Sequence, residues 1–250
     1  DGDIRIILQE RCIARSNKVA ELFEKTGLDH LEVDMSSTSV VVSGNYTVQP
    51  GTMTMKKIYQ LYKYDNTLYL IPLTGQQIKD VLEFNASERL SVSTASGTPV
   101  FGQTGDDFTN PVFYGLDFVY DMSEEVGNRA EISGFANGKE FKLDETYIFA
   151  VNNYHLGNGP FAQYSTDDAI WSQTDDMGGG VVQDLIAEWI TAETAANGGV
   201  APAPSNWKLV YDAEVVAGKA EGEFIGDLVD PNTLVSGDQV MIYYPAGNSL

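Results

Sequence analysis

The order of elements along this chain predicts an α+β fold built on a mixed sheet. Three observations carry that reading. Helical stripes and strand-like runs follow one another irregularly, not as the strict alternation of a doubly wound parallel sheet. The segment Gly115 to Asp121 alternates, with Leu116, Phe118 and Tyr120 on one face, as a half-buried strand does. Asn137-Gly138 is the two-residue signal of a tight hairpin, which makes antiparallel neighbours.

From Ile4 to Gly27 the chain reads as helix. Val19, Leu22 and Phe23 form an i, i+3, i+4 stripe, and Gly27 is a C-terminal stop. Ser39 to Tyr46 is β-branched and reads as a strand, and Gln49-Pro50-Gly51 as a turn. Thr54 is placed to cap a short helix ending at Leu61. Asn66 to Leu73 reads as a buried strand through Leu68, Leu70 and Leu73. Thr74 and Gln77 have capping-box spacing at the head of a helix whose buried face is Ile78, Val81 and Leu82.

Ser91 to Asn110 is rich in Ser, Thr and Gly and reads as a long loop. The Asn137-Gly138 signal predicts a type I′ turn joining strands Ile132–Phe135 and Glu140–Leu143. Tyr147 to Asn153 is a β-branched and aromatic strand that delivers Tyr154 into a Gly-rich turn. A polar stretch follows from Ser165 to Gly180. Val182, Leu185, Ile186, Trp189 and Ile190 make an amphipathic helix. A Pro/Ala/Gly linker follows from Gly198 to Ser205, and Trp207 to Tyr211 and Gln239 to Tyr244 read as strands.

Composition narrows the function classes. At 250 residues, with 43% hydrophobic and 20% charged residues, the chain can build a sizeable core. The net charge of −21 repels phosphate backbones, so no nucleic-acid partner is expected. No apolar run of about 18 residues exists to span a membrane as a helix. The chain starts at Asp1, and we read it as a mature or excised piece of something longer. Cys12, the only cysteine, forms no internal disulfide and falls at an apolar helical position, where core packing is expected.

The two histidines, His30 and His155, set a further limit. A dinuclear metallophosphatase centre needs several His, Asp and Asn ligands around two ions, and two histidines do not supply that set. No metal site is therefore expected in this chain. The acidic pairs Asp106-Asp107, Asp167-Asp168 and Asp175-Asp176 lack EF-hand spacing and read as solvated loop acids. Gly178-Gly179-Gly180 reads as a hinge or helix entry, with no Lys-Ser/Thr behind it to hold a phosphate.

Two distant segments carry the functional reading: Tyr64-Asp65-Asn66-Thr67-Leu68, and the run from Asn152 to Phe161. Each sets a tyrosine beside turn-forming residues at the tip of an apolar element. Tyrosines in such turns more often pack than bind, and this chain has 13 of them. On residue type alone, Asn152 and Asn153 are expected to hold a turn together, and His155 to be an exposed loop residue.

Taken together the motifs resemble the C-terminal domain of the 5′-nucleotidase family. They are "YDNTL", "LTG", "IKDVLE", "GLDFVYD", Arg129, "NGKEFKLDETY" and "AVNNYHLGNGPF", in family order over about residues 36 to 195. The spacing from Tyr154 to Phe161 is more similar to the 2′,3′-cyclic-nucleotide phosphodiesterase/3′-nucleotidase branch. The resemblance implies a layered α/β/β/α domain with mixed sheets. With the readings above, it divides the chain into an N-terminal helical segment over 1–35, the substrate-binding domain over 36–212, and, from the strand-like alternation near the end, a tail or the start of a β module over 213–250. It also implies that Tyr64 and Tyr154 stack the two faces of a base and that Asn66 hydrogen-bonds its edge. Gly157, Asn158 and Gly159 are further candidates, since glycines let the backbone approach a ligand.

By the same resemblance the chain is part of an exported, extracellular or cell-surface hydrolase that binds a nucleoside or nucleotide. Catalysis falls to a metallophosphatase domain missing from this chain, with divalent metal ions there and no cofactor here. A non-catalytic binding module that keeps the fold is the alternative. Two departures from the family pattern bear on it. Asn158-Gly159-Pro160 stands where relatives have a Gly-Gly-Asp-Gly turn. Val42-Ser43-Gly44-Asn45 lacks the arginine that relatives use for the phosphate. A phosphate is accordingly expected to meet no local cation.

Overall fold

The computed structural model describes residues 33–39, 51–93, 100–104, 109, 111–174, 180–200 and 207–211, with Glu24 and Thr26. Its strands are β1 Val33–Ser39, β2 Leu68–Thr74, β3 Leu90–Ser93, β4 Val100–Gln103, β5 Pro111–Tyr114, β6 Leu116–Asp121, β7 Ala130–Phe135, β8 Thr146–Asn152, β9 Trp171–Ser172 and β10 Trp207–Val210. The α-helices are α1 Met55–Leu61, α2 Gly75–Phe84 and α3 Val182–Asn197. One π turn, Asn85–Arg89, continues α2.

A five-stranded sheet runs β5-β1-β8-β2-β9, with β8 at its centre. β8 pairs parallel with β1 and antiparallel with β2, so the sheet is mixed. A three-stranded sheet runs β10-β6-β7, again with one parallel and one antiparallel pairing. Between the sheets lies the larger core. Met35, Ile71, Leu73 and Phe149 from the first sheet meet Phe118, Tyr120 and Leu209 from the second, and Ile78, Val81 and Leu82 of α2 close it. On the outer face of the five-stranded sheet, Leu68, Leu70, Ile148 and Trp171 pack against Val182 and Leu185 of α3. With apolar layers on both faces, β8 is buried from Tyr147 to Asn152, which is why its sequence is a continuous hydrophobic run. The fold is the layered α+β arrangement that the sequence predicts.

The capping predictions hold atom by atom. Thr54 caps α1. Thr74 accepts from Gln77 N while Gln77 Oε1 accepts from Thr74 N, a complete capping box at the head of α2. The remaining amides at that helix start are also satisfied, since Gly75 N donates to Glu145 O at 2.9 Å and Gln76 N to Leu143 O at 2.8 Å.

Several expectations are corrected. The predicted loop from Ser91 to Asn110 contains the β3–β4 ribbon, an antiparallel pair in register from Leu90↔Gln103 to Ser93↔Val100. Leu90 is buried, and Val92 and Phe101 lie against the core, so three apolar residues hold a segment whose composition reads as loop. Asn137-Gly138 reverses the chain without making a type I′ turn. Only Gly138 has positive φ, at 86°, and no strand follows over 140–143. Gly138 N donates to Phe135 O and Phe135 N to Lys139 O, the pattern of a type I turn closed by a left-handed glycine. Within the polar run 165–180, Ser172 and Trp171 form β9 on the edge of β2.

β1 begins ahead of the predicted strand Ser39–Tyr46, whose residues beyond 39 lie outside the described ones. So do Cys12, His30, Val42–Asn45, both glycines of Gly178-Gly179, Asp106-Asp107, Asp175-Asp176, the predicted strand at 239–244 and the rest of 213–250, predicted as a tail or the start of a β module. The predicted first helix is described only at Glu24 and Thr26, which are helical.

Candidate functional site

The site residues sit where β2 and β8 part. Their last paired positions are Leu68 and Asn152. One residue further on, Asn153 N donates to Thr67 O at 2.8 Å, and Thr67 N donates to Asn153 Oδ1 at 3.0 Å. The strands thus leave the sheet side by side, carrying Tyr64 three residues before Thr67 and Tyr154 one residue after Asn153. Both rings are open to solvent, at 38% and 39% exposure. That places the two sequence-predicted tyrosines at one end of one sheet, on neighbouring segments.

Beneath them is a buried polar floor. Tyr62 Oη accepts from Asn66 Nδ2 at 2.8 Å and from Asn152 Nδ2 at 3.3 Å. Asn152 Oδ1 accepts from His155 N at 2.8 Å. The 62–66 loop is fixed from the other side by the first turn of α3. Gln183 Nε2 donates to Tyr62 O and Tyr64 O at 3.0 and 2.8 Å, and Val182 N donates to Asn66 O at 2.8 Å. Gln173 Oε1 accepts from Leu68 N at 3.0 Å. Side-chain amides here take the place of ladder bonds that the diverging strands no longer make.

Asn66 is therefore buried, with its Nδ2 committed to Tyr62. Asn152 and Asn153 hold the turn, as expected. His155 is a correction: predicted as an exposed loop residue, it is 2% exposed, because the Asn152 side chain folds the 153–155 backbone inward. Sequence reasoning missed Tyr62, Gln173 and Gln183. The only sequence-level sign of Gln183 is a polar residue set into the apolar start of α3.

The Gly-rich turn lies on the Tyr154 side. Gly157 and Gly159 have φ of 85° and 53°, left-handed values that glycine adopts without strain. Asn158 Nδ2 donates to Tyr154 O at 2.8 Å, tying the turn to the tyrosine. Phe161, fully buried, anchors the far end against Phe149 with ring centroids 5.2 Å apart. Beside this turn stands a residue that the sequence reading passed over. A Cβ built on Gly159 would lie 3.8 Å from Arg89 Nη2. The π turn brings that arginine here from about 70 residues upstream.

Among the described residues no group of three His, Cys, Asp or Glu side chains converges. Asp167 and Asp168 are exposed, and Asp168 accepts from Ser165 N. A separate cleft of about 540 Å³ between α2 and the three-stranded sheet, lined by Lys79, Glu131 and Phe141 among others, shares no residue with the tyrosine end.

The family model for the 5′-nucleotidase C-terminal domain matches residues 7–165. The chain belongs to this family. Its relatives include the 2′,3′-cyclic-nucleotide 2′-phosphodiesterase/3′-nucleotidase of Salmonella typhimurium, 28% identical over 177 residues, which cover 65% of this chain and 27% of that protein. The trifunctional nucleotide phosphoesterase protein YfkN of Bacillus subtilis is 28% identical over 188 residues, covering 69% of this chain and 13% of that one. This 5′-nucleotidase C-terminal domain thus spans about a quarter or less of the length of these relatives. Among solved structures, a putative 5′-nucleotidase from Staphylococcus aureus shares the fold with a TM-score of 0.56 at 17% identity, over 82% of this chain and 38% of that one. The expected branch, the cyclic phosphodiesterase/3′-nucleotidases, is named among these relatives.

Proposed function

We propose that this domain binds the nucleoside part of a nucleotide and orients it for a metallophosphatase domain of the parent protein. The observation that carries the reading is the pair of exposed tyrosines, Tyr64 and Tyr154, on hydrogen-bonded segments above a rigid buried floor. Two aromatic faces suit a base, and stacking contributes about 1–3 kcal/mol per base. The floor suits recognition because its rotamers are fixed before the ligand arrives, so little ordering entropy is lost on binding. Asn66, on the Tyr64 segment with its Nδ2 held by Tyr62 Oη, is the candidate for the base edge through its Oδ1, and Gly157, Asn158 and Gly159 in the turn after Tyr154 are further candidates.

In this reading the catalytic division of labour is spatial. The metallophosphatase domain, with divalent ions, supplies the hydrolytic chemistry. This domain fixes the base, which restrains where the phosphate lies. The described residues do not form a dinuclear metal centre, and we assign them no hydrolytic step. An exported, extracellular or cell-surface setting belongs to the same proposal.

Calorimetric titration with adenosine tests it. Saturable binding is expected, weakened roughly tenfold or more by Tyr154→Ala. No binding at millimolar adenosine would move the assignment to a non-catalytic module that keeps the fold.

A further inference from the structure

The chain has three Asn-Gly steps, at 137–138, 158–159 and 197–198. An asparagine followed by glycine carries its own reagent. The glycine amide nitrogen attacks the asparagine Cγ within the same molecule, and no Cβ stands in the way of the ring that forms. The new C–N bond forms as that nitrogen gives up its proton. The side-chain nitrogen takes up a proton and leaves as ammonia. Water then opens the cyclic imide at one carbonyl or the other, giving aspartate or isoaspartate. Nothing is oxidised or reduced, and water is the only co-reactant.

The fold treats the three steps differently. At 137–138 both reacting groups are held: Gly138 N donates to Phe135 O at 2.8 Å, and Asn137 Oδ1 accepts from Lys139 N at 3.0 Å. At 197–198 both are held again. Gly198 N donates to Thr194 O at 2.9 Å, and Asn197 Nδ2 to Glu193 Oε2 at 2.8 Å. At 158–159 the attacking group is open. Gly159 heads a single short helical turn, Gly159–Phe161, and its N–H has no acceptor among the described residues. Asn158 is exposed, and its side chain is held only through Nδ2, which donates to Tyr154 O at 2.8 Å. The guanidinium of Arg89 stands beside Gly159, and a positive charge there favours the loss of the amide proton that attack requires.

We infer that Asn158 is a self-modifying site, which closes on Gly159, becomes aspartate or isoaspartate, and unfastens the turn that holds Tyr154. The bond lost is the one to Tyr154 O. A carboxylate has no donor, so an anionic oxygen faces the Tyr154 carbonyl oxygen in its place, and the two repel. Isoaspartate also adds a carbon to the main chain between two short turn bonds, Asn158 N to His155 O and Gly157 N to Phe161 O. The buried floor does not change, because the bonds of Asn152 and Gln183 do not pass through Asn158. The result is a one-way loosening confined to the exposed end of β8. The inference concerns the turn itself and stands whether or not a nucleoside lies on the rings.

The test is to age the full chain in mildly alkaline buffer and to follow the three asparagines by peptide mass spectrometry. Asn158 is expected to convert about fivefold faster than Asn137 or Asn197, the factor supplied by one fewer hydrogen bond to open. In denaturant the three rates should converge. A rate at Asn158 equal to or below the other two in the folded chain overturns the inference. So does a lead that persists in denaturant, since it belongs to the sequence and not to the turn. Asn158→Gln keeps the amide but must close a larger and slower ring, so its peptide should stay unmodified, and conversion that continues there sinks the site. Hydrogen exchange is then read on aged wild type and on Asn158→Asp, both shown to be folded by their melting transitions. The amides of Gly157 and Asn158 should exchange about fivefold faster than in fresh protein. Protection equal to that of fresh protein overturns the release of the turn.

Discussion

The β2–β8 pair has two ends, and they are built on opposite plans. At the Thr74↔Thr146 end, backbone closes on backbone. Gly75 and Gln76 donate to the 143–145 carbonyls, Thr74 and Gln77 cap each other, and Gly75 lies so near the neighbouring chain that a Cβ there would fall 2.1 Å from Lys142 O. At the Leu68↔Asn152 end the chains diverge, and side-chain amides from Asn66, Asn152, Asn153, Gln173 and Gln183 do the holding. The first end has no room for anything else. The second holds its backbone through side chains while leaving two rings in solvent. Rigidity and openness are compatible when the hydrogen bonds come from beneath.

The sharpest way to break the closed end is Gly75→Ala. The added carbon meets main chain, which cannot rotate away, so a loss of about 3 kcal/mol is expected, read as a lower midpoint in chemical denaturation. The tyrosine end should keep its ligand affinity below the transition. A loss of affinity without a loss of stability would show that the two ends are not independent.

Tyr62→Phe breaks the open end in the same currency of structure. It removes the shared acceptor of Asn66 Nδ2 and Asn152 Nδ2, both buried. About 2 kcal/mol is expected from the unsatisfied donors, with weakened adenosine binding as the loop loosens. Tyr154→Ala sharpens the contrast from the other side. The ring is 39% exposed, so stability should change by no more than about 0.5 kcal/mol while the ligand is lost.

The smallest effect is expected at the surface of the closed end, where Lys142 Nζ sits 2.7 Å from Glu145 Oε1. The hydrogen bond and charge of Lys142 lower the Glu145 pKa, and Glu145 raises that of Lys142. A lowered carboxyl pKa means that the contribution is in place above the unfolded-state value and fades as pH falls through the folded one. A raised ammonium pKa means that it fades again as pH rises through the folded-state value of the lysine. Glu145→Gln should therefore differ slightly from wild type at neutral pH and match it in acid, below the carboxylate range near pH 4. A difference that persists in acid would rule out the ion pair as its source.

Local patterns are legible in the sequence wherever the folding cause is local. The Thr74–Gln77 box, the Ile78-Val81-Leu82 stripe and the alternation of β6 are each decided within a few residues. β1 was illegible because its reason lies elsewhere. It reads VDMSSTS, and its buried Asp34 is satisfied by Lys139 Nζ at 2.7 Å and Ile148 N at 2.9 Å, more than 100 positions away. The two tyrosines were legible through motif order. The floor under them was not, because Gln173 and Gln183 reach it from a different part of the chain. Arg89 was hidden for the same reason: only the π turn and the ribbon after it carry that residue to the Gly159 turn.

β10 has a consequence for how the protein is made. It pairs parallel with β6 from Trp207↔Phe118 to Val210↔Asp121, and Trp207 lies flat on Phe118 with centroids 6.2 Å apart. During synthesis that edge of β6 stays uncovered until residue 210 has left the ribosome. For those roughly 90 residues of elongation, several seconds at ordinary rates, the nascent chain carries an open, aromatic strand edge. A protein cut short before Trp207 would carry it permanently, and would be expected to associate with its own copies along that edge.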